Sequence, residues 1–237
     1  MSTTTVLLTG ATGSLGASTL VQLMNEPNVN VITVLRSSKR SEAYLRSQYA
    51  SQVSSGRLSF LEIPDMSTPN IFDDAASRSD AIIHIATPLA YSDFMDQMIK
   101  PSWTILHNVL SAAEKSARVK RVIVTGSVVS TLRVPDDMLS GKTISADTWN
   151  GIPLEAAEQD PMSAYQYAKT YSERKAWEFM KEKKRTFDLI VLLAPSITGK
   201  SIQEGFVPDK TNLGGQPSIY RELFDRERPG FMFPFFM

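Results

Sequence analysis

A doubly wound α/β fold, a parallel sheet with helices on both faces, is what these 237 residues predict. Three observations carry the prediction. Short apolar runs alternate along the chain with stretches of helical period, the pattern of strand–helix–strand units. Some of the runs, such as Ala81-Ile82-Ile83-His84-Ile85, are apolar almost without interruption, as strands covered on both faces are. The first run, Val6-Leu7-Leu8-Thr9, passes directly into Gly10-Ala11-Thr12-Gly13-Ser14-Leu15-Gly16 and then a helix, which is how a backbone is brought close to a pyrophosphate.

The elements follow in order. A strand is expected over residues 5–9 and a helix over 14–24, whose first N–H groups and positive dipole end face the anion. Between them Gly10 makes the sharp turn, Gly13 lets phosphates approach, and Gly16 lets the helix pack closely. Glycine triplets also occur in ordinary turns; the position directly after an apolar strand favours the phosphate loop. A second strand is expected at 29–35, a helix at 41–51, a third strand at 58–63, a helix at 71–77 and a fourth strand at 81–85. A long helix at 93–117, a strand at 121–125, a helix at 162–183 and a last strand at 188–193 complete the alternation. From 194 to 230 the chain is rich in Pro, Gly and Ser, and it ends Phe231-Met232-Phe233-Pro234-Phe235-Phe236-Met237. That apolar end reads as a tail tucked into a local groove, as a chain stopping inside a domain, or as a contact for a second subunit.

Composition excludes several classes. With 25 basic and 25 acidic residues the net charge is zero, so nothing draws the chain to nucleic acid or an anionic membrane. There is no cysteine, hence no disulfide, thiolate nucleophile or thiolate metal site. The two histidines, His84 and His107, lack metal-site spacing, so no metal is expected. No apolar run approaches the ~20 residues that span a bilayer, and no signal-peptide pattern opens the chain; a cytoplasmic protein is the expectation.

The candidate chemistry lies in Asp160-Pro161-Met162-Ser163-Ala164-Tyr165-Gln166-Tyr167-Ala168-Lys169. Tyr165 and Lys169 stand four apart on a helix and share a face. A phenol is a poor acid at neutral pH, and an adjacent ammonium is expected to lower its pKa toward the working range. Upstream, Val122-Ile123-Val124-Thr125-Gly126-Ser127 is a strand ending in a hydroxyl residue, at the sheet edge where ligands bind. Tyr171 and Lys175 offer a second pair at the same spacing, but almost two turns further along the helix.

Together, the glycine loop, Ser127 and the Tyr165/Lys169 pair resemble the extended short-chain dehydrogenases/reductases, which share a Rossmann-type fold. The likeness is to the branch holding dihydroflavonol reductase, cinnamoyl-CoA reductase and the yeast methylglyoxal (aldehyde) reductases. Further likeness lies in Ile83-His84-Ile85-Ala86-Thr87-Pro88, Val119-Lys120-Arg121-Val122, Asp147-Thr148-Trp149-Asn150 and the stretch from Tyr171 to Phe179. The resemblance implies that Tyr165 gives a proton to a carbonyl oxygen, that Ser127 hydrogen-bonds that oxygen, and that Lys169 lowers the tyrosine pKa and holds the nicotinamide ribose. It also supports the Asp160-Pro161 start and the Tyr165 register over Tyr171/Lys175. Gly10, Thr12, Gly13, Ser14, Leu15 and Gly16 would hold the phosphates. Asp65 and Met66 would flank adenine, Ala86, Thr87 and Pro88 would line the diphosphate–ribose path, and Pro195 and Ser196 would lie beside the nicotinamide.

The second strand ends Val34-Leu35-Arg36-Ser37-Ser38-Lys39-Arg40, without the carboxylate that binds an unmodified ribose. Arg36 can meet a 2′-phosphate, with Lys39 or Arg40 adding a second cation, so NADP(H) is the expected cofactor; the alternative is a solvated basic turn. The chain also departs from the family. Ser14 replaces a large apolar residue and could cap the helix or touch phosphate. Gly126 replaces the first of two hydroxyl residues. Thr104 stands where an asparagine is usual, with Asn108 one turn later, which puts a proton-relay role in doubt. Such proteins also run on through a further strand and most of a substrate-binding lobe. The expected domains are a dinucleotide-binding domain at 1–199 and a remnant of the substrate region at 200–237. The leading functional expectation is an NADPH-dependent reductase of an aldehyde or ketone in a small, fairly apolar substrate, with a homodimer through the apolar tail as a possible assembly. A non-redox cyclase, isomerase or lyase on a shortened scaffold, and a non-catalytic nucleotide-sensing protein, are the alternatives.

Overall fold

The computed structural model describes residues 2–37, 41–138, 140–197, 199 and 202. In chain order the elements are β1 (Thr4–Thr9), α1 (Ser14–Asn25), β2 (Val29–Leu35), α2 (Ser41–Gln48), α3 (Ala50–Ser54), β3 (Leu58–Glu62), α4 (Asp73–Ser77) and β4 (Ala81–His84). A π-helical turn, Met95–Ile99, then runs into α5 (Lys100–Lys115), followed by β5 (Arg121–Ser127) and a 3-10 turn at Val128–Ser130. The last elements are α6 (Leu154–Ala157), α7 (Pro161–Glu182) and β6 (Asp188–Ala194). The six strands pair in parallel in the order β3-β2-β1-β4-β5-β6, the order of a Rossmann sheet, as the predicted doubly wound parallel fold allows.

Alternate residues of each strand feed two cores. Leu8, Val31 and Leu35 pack on Leu20 and Met24 of α1 and Leu45 of α2. Leu7, Ile32 and Val122 face the other way, toward Val109 and Leu110 of α5 and Ala176 and Phe179 of α7. At about 1.5–3 kcal/mol per large apolar side chain buried, these two layers supply most of the drive to fold.

Some boundaries differ from expectation. The predicted helix at 41–51 divides at Tyr49, whose backbone (φ −119°, ψ 37°) leaves the helical region. The long helix stops at Lys115 because Ser116 turns extended and its hydroxyl accepts from the N–H groups of Arg118 and Val119, both at 3.2 Å. β5 runs two residues past the predicted 125, because Gly126 and Ser127 still pair with Leu193 and Ala194 of β6. α7 starts where expected: Pro161 occupies its first turn and the Asp160 carboxylate accepts from Met162 N at 2.9 Å and Ser163 N at 3.0 Å.

The C-terminal ends of all six strands share one edge of the sheet. It gathers the turn after β1, Arg36 after β2, Asp65 after β3, Ala86 after β4, Ser127 at the end of β5 and Pro195 after β6. The strand order reverses between β1 and β4, which opens the crevice where such sheets take ligands. Among the described residues no helix is long and apolar enough to cross a membrane. Of the expected 200–237 segment only Ile202 is described, so the apolar tail 231–237 and its proposed subunit contact lie outside the described residues.

Candidate active site

The glycine loop is a cradle shaped by what its residues lack. Gly10 has φ +80°, and a Cβ there would come within 2.8 Å of Ala86 N; one on Gly16 would sit 1.9 Å from Gly10 O. Both positions therefore demand glycine for the protein's own packing. Gly13 is less crowded: a Cβ would meet Gly10 O alone, at a tight 3.3 Å. Gly13 is also the N-cap of α1, with no side-chain cap. Ser14 thus does not cap the helix; it is the first helical residue, exposed, and its carbonyl accepts from the Ser18 hydroxyl at 3.3 Å. By helix geometry the N–H groups of Ser14, Leu15 and Gly16 point out of the helix end toward this loop. Uncapped donors, a positive dipole end and a bare backbone fit a pyrophosphate. Thr12 is exposed beside them.

Beneath the loop, Thr9 and His84 tie β1 to β4. The Thr9 hydroxyl oxygen accepts from Ile85 N at 3.1 Å and Ala86 N at 3.3 Å, and lies 2.9 Å from His84 Nδ1. With its oxygen accepting twice, the hydroxyl donates to Nδ1, which leaves the histidine proton on Nε2. Full burial, with the Lys169 charge adding to it, pushes the His84 pKa down to about 3, so the ring is neutral.

Ser127, Tyr165 and Lys169 converge at this edge. Ser127 is buried, its oxygen accepts from Val129 N at 3.4 Å, and its own hydrogen stays available to donate. The Ser127 hydroxyl faces the Tyr165 phenol. Lys169 donates to Thr87 Oγ1 and to the Thr125 carbonyl, both at 2.9 Å, with Nζ 5.9 Å from the Tyr165 ring centre. Burial brings the lysine pKa down to about 8, opposed by the negative charge of Glu173. The expected lowering of the tyrosine pKa is not what the structure has. Burial raises it, the Ser127 contact opposes that only in part, and the ammonium spends its hydrogen bonds on Thr87 and Thr125. The competing pair is elsewhere: Lys175 binds Glu178 at 2.8 Å, and Tyr171 stacks on Tyr167.

The other expected cofactor residues lie along the same edge. Arg36 is exposed just past β2; Lys39 and Arg40 lie outside the described residues. Asp65 accepts from Ser67 N at 2.8 Å, and the Met66 carbonyl accepts from Asn108 Nδ2 at 3.0 Å. Asn108 also donates to Thr68 O, so it braces the loop after β3 rather than relaying protons, while Thr104 bonds back to Lys100 O. Ala86, Thr87 and Pro88 follow β4, and Pro195 and Ser196 follow β6 beside the Ser127–Ala194 pairing.

Tyr165 also lines a groove of about 370 Å³, together with Leu89, Tyr91, Met98, Asp160, Pro161 and Met162. Leu89 and Tyr91 are 65% and 86% exposed, unusual for such side chains. Sequence reasoning missed Gln166 and Asn150. Gln166 is buried behind Tyr165 and clasps Val134 through both its backbone groups, at 2.7 and 3.0 Å; Asn150 donates to Val129 O and Leu132 O at 2.9 Å. They anchor the loop after Ser127 to α7. Both stand in stretches quoted above, but their bracing role depends on packing between the loop and α7 that the sequence does not show.

The fold and site define a class: a Rossmann-type sheet with a serine, a tyrosine and a lysine at the C-terminal edge of its strands. Residues 6–212 match the sequence model of the NAD dependent epimerase/dehydratase family, and the chain belongs to that family. It is 30% identical over 229 residues to aldehyde reductase 2 of Sporidiobolus salmonicolor, covering 94% of this chain and 64% of that protein. It is 31% identical over 219 residues to the ketoreductase CTB6 of Cercospora nicotianae, covering 84% of this chain and 58% of that one. The crystal structure of Gre2 from Candida albicans, in complex with NADPH, shares the fold with a TM-score of 0.79 at 22% identity, over 93% of this chain and 66% of that one. The chain spans about half to two thirds of the length of the curated relatives it matches.

Proposed function

We propose that this chain forms the cofactor-binding and proton-donating part of an NADPH-dependent reductase acting on an aldehyde or ketone of a small, fairly apolar substrate. The observation that carries the reading is the Ser127–Tyr165 pair at the ligand edge of the sheet, with Lys169 buried beside it and Tyr165 lining an apolar groove. NADPH, held by the 10–16 loop, Arg36 and the loops after β3, β4 and β6, supplies a hydride when bound. The residues of the chain do the rest. The groove takes the apolar part of the substrate and leaves its carbonyl beside Tyr165. Ser127 donates a hydrogen bond to the carbonyl oxygen and polarises the carbon. Tyr165, kept protonated at neutral pH by its burial, gives its proton to that oxygen, so the carbonyl becomes an alcohol. Lys169, cationic up to about pH 8, steadies the phenolate left behind and is the nearest source of a proton to restore it.

Relatives named as aldehyde reductase and ketoreductase, and a like-folded protein bound to NADPH, support the reading. A cytoplasmic site of action and a homodimer through residues 231–237 belong to the same proposal, the latter tested by sedimentation. The activity is tested by following NADPH oxidation with methylglyoxal, isovaleraldehyde and an aryl ketone. Oxidation that requires both NADPH and a carbonyl compound is expected. Conversion of a carbonyl compound with no nicotinamide present would overturn the reading in favour of a cyclase, isomerase or lyase.

A further inference from the structure

A second, smaller cavity of about 40 Å³ lies beside Lys169, lined among others by Glu173, Ser172, His84 and Ser102. Lys169 and Glu173 are the ionisable groups among its described lining besides His84, which stays neutral. They stand one turn apart on the inner face of α7. Glu173 is 8% exposed, a rare place for a carboxylate. Its Oε1 accepts only a long bond from Trp177 Nε1, at 3.4 Å, and its Oε2 is buried with no partner. The Ser130 hydroxyl faces the same carboxylate without reaching a regular hydrogen bond, and the Ser172 hydroxyl is likewise buried and unpartnered. A buried carboxylate in this state is costly unless a cation answers it. The cavity exceeds the ~10–15 Å³ that one water needs, and its walls supply polar partners for one.

We propose that Glu173 is a positioning residue acting through Lys169: its carboxylate, joined to the ammonium across this cavity, is the counter-anion that keeps the buried lysine charged and turned to the sheet edge. Nothing in the mechanism above uses Glu173. Burial lowers the Lys169 pKa, and the neighbouring anion holds part of that shift back. The other titratable groups facing Lys169 are His84, from β4, and Tyr165, from its own helix. Both are uncharged at neutral pH, and β5, β6 and α5 present only non-ionising residues to the cavity. The inference rests on the reductase reading of Lys169.

The test follows the pH titration of the lysine side chains by NMR in protein labelled at lysine Cε, with the Lys169 signal assigned by its loss in Lys169→Arg. In the unsubstituted protein its midpoint is expected near 8. In Glu173→Gln it is expected to fall by roughly one pH unit, and Glu173→Asp to recover part of the difference. A midpoint unmoved in folded Glu173→Gln overturns the proposal. Should that variant fail to fold, the Glu173 carboxyl carbon of the unsubstituted protein decides: it must shift through the same midpoint as Lys169, and a flat response overturns the pairing. Both titrations are made without NADPH, so failure of the reductase reading, seen as no NADPH binding, is told apart from failure of this one.

Discussion

At the scale of single residues, each functional side chain is defined by what burial does to its charge. Tyr165 is held protonated, so Tyr165→Phe is expected to lower turnover about 10²–10⁴-fold while NADPH affinity stays within a factor of about two; a fluorescence titration of NADPH checks the second half. On the proposed reading, exposed Arg36 meets the adenosine 2′-phosphate. Arg36→Ala is expected to weaken NADPH about 10- to 100-fold and leave NADH unchanged, the worth of one charge-assisted contact. His84 gives a prediction about stability. Its folded pKa of about 3 lies below the unfolded 6.5, so between these values the unfolded chain binds a proton the folded one refuses. The stability it contributes is whole above pH 6.5 and falls as pH drops toward 3, by about 1.4 kcal/mol per unit. Urea midpoints at pH 7 and pH 5 should therefore diverge more in the parent protein than in His84→Asn. An equal divergence would mean that His84 is protonated in the folded state.

Elements set where those residues meet. In the loop between β1 and α1 the glycines separate into two kinds. Gly16→Ala drives a Cβ into Gly10 O and is expected to unfold the loop, lowering thermal stability and cofactor binding together. Gly13→Ala puts a Cβ 3.3 Å from Gly10 O, a tight contact that a small shift relieves, so the melting temperature should fall far less than in Gly16→Ala while NADPH binding weakens about tenfold, or about 1.4 kcal/mol. Loss of the fold in both would make Gly13 a packing residue only. At the head of α7, Asp160→Ala removes a cap accepting from two N–H groups and is expected to cost about 0.5–2 kcal/mol, read from thermal melts.

For the whole molecule, much was legible in the sequence because the signals are local. Short apolar runs marked the six strands, the glycine loop marked the switch point, and Asp160-Pro161 set the register that brings Tyr165 to the sheet edge. What was not legible depends on packing between distant segments. Val128–Ser130 and Leu154–Ala157 are too short for a periodic pattern. Glu173 lies in a stretch of family likeness, but its burial shows only once α7 is laid on the sheet, and the rise in the Tyr165 pKa comes from burial that no spacing announces. The order of ligands is a property of the assembled edge. NADPH at a hundred times its Kd is expected to stabilise the native state by about 2.7 kcal/mol, and NADH by less at the same concentration. Most direct for the central claim is rapid mixing of the preformed NADPH complex with a reactive aldehyde, comparing the parent protein with Tyr165→Phe in a single turnover. The account predicts a fast loss of nicotinamide absorbance in the parent and one slowed at least about a hundredfold in the variant; equal rates in the two would contradict it.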